Sequence, residues 1–203
     1  MTQPTNEPVV RVPPLKKVDI EAFAGELREV LGGSTHQAGP LDWPHLVDVV
    51  LPSMGVDVYP VRDSELPDRH AVTDHLGTGP IRILVRQDVY DSLWDRGRRG
   101  NQGRATIAHE LGHALLHVPF MRQMAKFGCE SLLLNRVVRG PIKAYESSEW
   151  QAWTLARFLL MPRAALVATL EHHSLLETAD AFGASVAMLK VHMHRLGMEV
   201  PND

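Results

Sequence analysis

The stretch Arg104–His117, RATIAHELGHALLH, constrains this chain more than any other. His109, His113 and His117 recur at intervals of one helical turn, so a helix here stacks them near one face. His109-Glu110-Leu111-Gly112-His113 is the H-E-x-x-H pattern. Two imidazoles one turn apart can reach a single metal ion, and the glutamate after the first projects to one side, where it can act as general base on a metal-bound water. Ile107, Leu111, Leu115 and Val118 form an apolar stripe beside the histidines, which lets the helix pack while keeping its ligands turned inward. His117 lies about 12 Å of helix rise from His109, too far for all three to share one ion. It reads as a hydrogen-bonding or partly buried histidine rather than a ligand.

A catalytic zinc site takes three protein ligands and keeps one position open. The longer pattern that supplies a third histidine fails, because Leu116 stands at its glycine and Pro119 at its last histidine. Cys129 is the one cysteine, so neither a thiolate cluster nor an internal disulfide is available. The third ligand should come from elsewhere; a glutamate on a later helix is the common solution, and the candidates are Glu130, Glu146, Glu149, Glu171 and Glu177. Glu149 is preferred. In the helix expected over SSEWQAWTLARFLLMP it shares a face with Trp153, Ala156 and Leu160, and a carboxylate on an apolar face needs a partner. The competing reading is an exposed first-turn carboxylate favoured by the helix dipole. Ser148 and Gln151 fit a capping box, which gives Gln151 a structural task.

The rest of the chain predicts an α+β fold. Ile20, Phe23, Leu27 and Leu31 mark a first helix that Gly32-Gly33 end, and a second covers Leu41–Gly55. Val56–Val61 and Ile81–Arg86 read as strands of a small sheet, with Pro60 placing the first at an edge. A polar segment separates them. Arg96–Gly103 reads as a Gly-Arg loop, the histidine helix stops at Pro119, and a long link leads to the Glu149 helix. Residues 1–17, rich in proline, form a flexible arm; 18–162 form the metal-bearing domain; 163–203 form a C-terminal helical subdomain. Net charge is -3, and the N-terminus shows no secretory signal. No stretch has the length and apolarity of a membrane span. A cytoplasmic protein is expected, with no membrane partner.

Two segments together resemble the ImmA/IrrE family. TIAHELGHALLH is similar to the stretch around that family's zinc histidines, and EWQAWTLARFLLMP to its second signature; weaker similarity runs to ADAFGASVAMLKVHMHRLG. The resemblance implies a zincin-like small sheet packed on helices that carry the site, and Zn2+ at His109 and His113 with Glu110 as base. It further implies an endopeptidase acting on helix-turn-helix repressors in stress or mobile-element control. Three positions depart from the family's usual residues: Gln151 stands for a second glutamate, Trp153 for asparagine and Leu155 for an aromatic. If the second glutamate were the ligand, this site would lack it.

Tyr145 and His117 are candidates for stabilising the oxyanion, and an edge strand could hold an extended substrate. Two other functions compete. A zinc-binding regulator without catalysis would act by protein contact. A DNA-binding regulator would use Leu175–Gly197, which has the helix, glycine turn and helix of a helix-turn-helix. From Arg163 to Met198 the formal charges cancel, three basic against three acidic, so the basic face of a DNA reader is missing.

Overall fold

The structure, a computed structural model, describes residues 10–74, 78–127 and 142–200. It is a mixed α+β fold with a small three-stranded sheet and many helices. Helix α1 is Lys17–Val30 and buries Ile20, Ala24 and Leu27. Trp43–His45, Leu46–Val50 and Leu51–Ser53 run on as one helical stretch, α2, whose middle is a π-helical turn. Strand β1 is Val56–Val61, β2 is Ala71–Asp74 and β3 is Ile81–Arg86.

The strand order is β1-β3-β2. β1 runs parallel to β3, with Val56 opposite Ile81, and Pro60 sits on an edge strand, where its missing N–H breaks no central ladder. β2 runs antiparallel to β3, and its register partners Asp74 and Arg82 also form an ion pair. Ile83 and Val85 alternate with Arg82 and Arg86, so one face of β3 enters the core. β2 lies in the polar segment between the two expected strands, where the sequence predicts no strand. Four residues are too few to show an alternation.

Helix α3, Gln87–Asp91, passes into a 3-10 turn at Ser92–Trp94, and the long helix α4 spans Arg98–Leu116. The Gly-Arg stretch is therefore not a loop beyond Gly97: it forms the first turns of α4. Gly100 and Gly103 are packing devices. A Cβ on Gly100 would lie 2.0 Å from the Asp95 carbonyl, and one on Gly103 2.5 Å from Ser92 Oγ. The buried Arg104 guanidinium bonds the Leu93, Asp95 and Gly183 carbonyls and Asn101 Oδ1, which ties these turns to the C-terminal helices.

Pro119 begins a new helix, α5 (Val118–Lys126), instead of simply ending the previous one. In a first helical turn its absent N–H leaves no bond unmade. After a 3-10 turn at Ala144–Glu146 comes α6, Ser148–Leu160. Three further helices follow: α7 (Arg163–Leu170), α8 (Leu175–Ala181) and α9 (Val186–Leu196). One hydrophobic cluster joins α1, α2, the sheet and α4 to α6–α9.

Residues 10–15 lie along the entry to α6. Val12 N–H donates to Glu146 O at 2.9 Å and Leu15 N–H to Tyr145 O at 3.0 Å, while Ser148 N–H donates to Val10 O at 3.1 Å. Among the described residues, no single helix is long and apolar enough to cross a membrane.

His192 on α9 is 1% exposed. Its ring sits edge-on to Phe158, and Nε2 is 3.0 Å from the Met161 carbonyl, which accepts from Nε2–H. Burial pushes its pKa down to about 4, against the pull of that carbonyl. The folded value is depressed, so the stability it confers is fully present above an unfolded pKa near 6.5 and is lost as pH falls towards 4. The linked loss is on the order of 3 kcal/mol. In urea unfolding at pH 7 and pH 4.5, His192→Gln, which keeps a donor for Met161, should show a clearly smaller drop than wild type. An equal drop would rule His192 out as a source.

Candidate metal centre

α4 presents His109, Glu110 and His113, His117 caps its C-terminal end, and α6 brings Glu149 across to them. The close approach depends on Gly112, where a Cβ would lie 2.6 Å from Ala152 Cα and 2.9 Å from its carbonyl oxygen. Since His113 follows Gly112 and Glu149 lies one turn before Ala152, this close approach controls the spacing of the site.

His109 Nε2 and His113 Nε2 are 3.1 Å apart. Glu149 closes the triangle, with Oε2 3.4 Å from His109 Nε2 and Oε1 3.1 Å from His113 Nε2. Bonds of about 2.0–2.1 Å in a tetrahedron put neighbouring ligands about 3.3 Å apart, and each of these three separations, the two carboxylate ones to different oxygens of Glu149, is close to that. Among the described residues, this is the one group of three histidine, cysteine, aspartate or glutamate side chains whose donor atoms converge in this way. Glu149 Oε2 is buried and has no hydrogen-bond partner among them, as a donor atom reserved for an ion requires. Burial opposes ionisation of Glu149, but the imidazoles of His109 and His113 against its two oxygens outweigh it and hold the carboxyl well below its usual range. The chemistry and spacing of the donors fit a divalent ion of borderline softness.

The other carboxylates are occupied differently. Glu146 pairs with Arg11 Nε at 3.1 Å. Glu171 is exposed at the end of α7. Glu177 forms a capping box with Ser174 at the start of α8. Glu130 and Cys129 lie outside the described residues.

Glu110 is buried, and its Oε2 accepts from Thr73 Oγ1 at 2.6 Å. Thr73 belongs to the edge strand β2, so the sheet positions the candidate base. A cleft of about 190 Å³ opens here, lined among others by Ala71, Val72, Thr73, Glu110, His113 and Glu149. Thr73 escapes a reading of the sequence because its strand is not recognisable there. The β-branched pair Val72-Thr73 is the available signal.

His117 is 2% exposed. Its Nδ1 is 3.1 Å from His113 Nδ1, and its Nε2 is 3.1 Å from Gln151 Oε1. Burial, then the neighbouring His113, push its pKa down to about 4. With both ring nitrogens engaged, His117 has no donor left for an oxyanion. Tyr145 is exposed; its backbone carbonyl, not its hydroxyl, serves the site by accepting from Gln151 Nε2 at 2.8 Å.

The capping expectation for Gln151 is corrected. Ser147 is the N-cap of α6 and accepts from Trp150 N–H at 3.2 Å, which leaves the Gln151 amide to reach His117. Trp153 stacks on the His109 ring at 4.2 Å between centroids and 27° between planes. His109 Nδ1 is buried without a hydrogen-bond partner among the described residues.

Residues 99–194 match the family model described as Peptidase_M78, IrrE N-terminal-like domain. No curated protein and no solved structure matches the chain. The matched stretch, just under half of the chain, carries both converging histidines, Glu110 and Glu149, and its likeness to that model supports membership of the ImmA/IrrE family, a family of metallopeptidase type.

Proposed function

We propose that the protein is a cytoplasmic zinc-dependent endopeptidase that cleaves a helix-turn-helix transcriptional repressor and thereby relieves repression. The observation that carries this reading is the convergence of His109, His113 and Glu149 beside a carboxylate, Glu110, held by the edge strand. His109 and His113 through Nε2, with one oxygen of Glu149, would hold the zinc. When bound, zinc supplies Lewis acidity to the peptide carbonyl and to water. Glu110 takes the proton of the attacking water and passes it to the leaving amine. Thr73 keeps the Glu110 carboxylate turned to the cleft.

β2 supports the choice of an extended substrate. Among the described residues its outer edge has no strand partner, and Ala71–Thr73 line the cleft. A peptide added along that edge takes backbone hydrogen bonds while its carbonyl faces the site. A loop or linker of a repressor can do this; a folded helix cannot. In this reading the small sheet and the two helices α4 and α6 are a zincin-like unit, and α7–α9 a helix-turn-helix-like appendage.

A DNA-binding role for the appendage gains no support from its surface. α9 buries Leu189, His192 and Met193 and turns Ala187, Val191, His194 and Arg195 outward, a face with one permanent cation.

The test is co-expression with repressors encoded by neighbouring genes, comparing wild type with Glu110→Gln. Cleavage by wild type alone supports the proposal. Zinc-loaded wild type that cleaves none of them favours the regulator that acts by contact.

A further inference from the structure

We propose that Gln151 and His117 form a positioning relay that fixes the proton of His113 on Nδ1 and leaves its Nε2 bare for a metal ion. The inference rests on the metal-binding reading of the site and concerns how this chain prepares it.

The proton positions follow from the heavy atoms. Gln151 Nε2 lies 2.9 Å from the Pro13 carbonyl and 2.8 Å from the Tyr145 carbonyl. Carbonyls only accept, so the amide nitrogen must face them and both of its hydrogens are used. Gln151 Oε1 is then the atom 3.1 Å from His117 Nε2. An amide oxygen cannot donate, so His117 carries its hydrogen on Nε2. His117 is almost fully buried and none of its hydrogen-bonding neighbours is a carboxylate, which favours the neutral ring. Its Nδ1 is therefore a bare acceptor, and it lies 3.1 Å from His113 Nδ1. His113 must donate there. A neutral His113 that donates from Nδ1 has its lone pair on Nε2, the atom that faces His109 and Glu149.

Each link removes a freedom that would weaken a ligand. In water an imidazole samples both tautomers and two ring orientations, and only one combination can bind an ion. Partners that hold the other ring nitrogen of a metal-binding histidine are typically worth 10–100-fold in affinity. The relay also ties the site to the N-terminal segment, because one of the two carbonyls that orient Gln151 belongs to Pro13. His109 provides the contrast: its Nδ1 has no such partner among the described residues, and the ring is held by the Trp153 stack. Of the two histidines, His113 is the one presented with its tautomer already selected.

The experiment uses the full-length, ¹⁵N-labelled, metal-free protein and long-range ¹H–¹⁵N imidazole spectra. Wild type should show His113 protonated on Nδ1 and His117 on Nε2. Zinc affinity is then measured against a chromophoric chelator. Gln151→Leu removes the acceptor oxygen and should lose the His113 signature and weaken zinc binding by roughly 10–100-fold. Gln151→Glu puts a carboxylate against His117 Nε2 and favours the imidazolium, which donates from Nδ1 as well, so the His113 proton should move to Nε2 and zinc binding should weaken too. A purely structural role for Gln151 would leave His113 protonated on Nδ1 in both variants, and that result would overturn the relay. So would His113 protonated on Nε2 in wild type, a measurement that decides the matter even if neither variant folds. Wild type with the expected tautomers but no zinc affinity would support the relay and count against the peptidase reading alone.

Discussion

Glu110→Gln is expected to lower repressor cleavage by roughly 10²–10⁴-fold, the usual contribution of a positioned general base, while zinc affinity stays at the wild-type level. The substitution changes charge and proton affinity but not shape. Thr73 Oγ1 lies 2.6 Å from Glu110 Oε2, and an amide oxygen at that position accepts the same hydroxyl hydrogen. The side chain should therefore stay where it is. What it loses is the capacity to take a proton at neutral pH. Glu110 is not among the converging donors, so metal uptake should not follow its charge. Cleavage rate and zinc stoichiometry measured on the same preparations separate the cases. Loss of both means that the variant has damaged the site. Loss of neither means that the base is another residue.

The sequence made part of this centre legible because its spacing rule is local. His109 and His113 need only one helix to come together, and the same geometry excluded His117 as a third ligand on the same ion. Glu149 was reachable by a less local argument, a carboxylate on an apolar helical face. The structure brings its oxygens against both histidines. The supporting residues were hidden because their partners are distant in sequence. Gln151 offered an adjacent explanation, a capping box with Ser148, and the cap proved to be Ser147. Its actual partners, Pro13 and His117, lie in two other segments. β2 is too short to show periodicity, so neither the edge strand nor Thr73 could be read. The glycines of Arg96–Gly103 suggested a loop by composition, yet two of them are small because Asp95 and Ser92 press on the helix. In each miss a residue chosen by tertiary packing resembled one chosen by local conformation.

Gly112 is the position where fold and site are most strongly coupled, and Gly112→Ala should damage both. Considered alone, the helix interior would gain about 1 kcal/mol from alanine. Against this, the new Cβ would lie 2.6 Å from Ala152 Cα and 2.9 Å from Ala152 O. These are backbone atoms of α6 and cannot rotate away, so α4 and α6 must move apart. Overpacking of this kind costs about 1–3 kcal/mol, and because the obstruction is rigid the upper part of that range applies. A net loss of about 1–2 kcal/mol corresponds to a fall of roughly 2–8 °C in Tm for a chain of this size. The same separation draws Glu149 on α6 away from His109 and His113 on α4, so zinc affinity should fall even where the protein remains folded. Ala152→Gly in the Gly112→Ala background removes the methyl group 3.0 Å from the new carbon. The nearer backbone atoms of residue 152 stay in place, so the second substitution should restore only part of either loss. Gly112→Ala with wild-type Tm and wild-type zinc affinity would mean that the two helices do not meet this closely. A lower Tm with unchanged zinc affinity would mean that the donor triangle does not depend on their spacing.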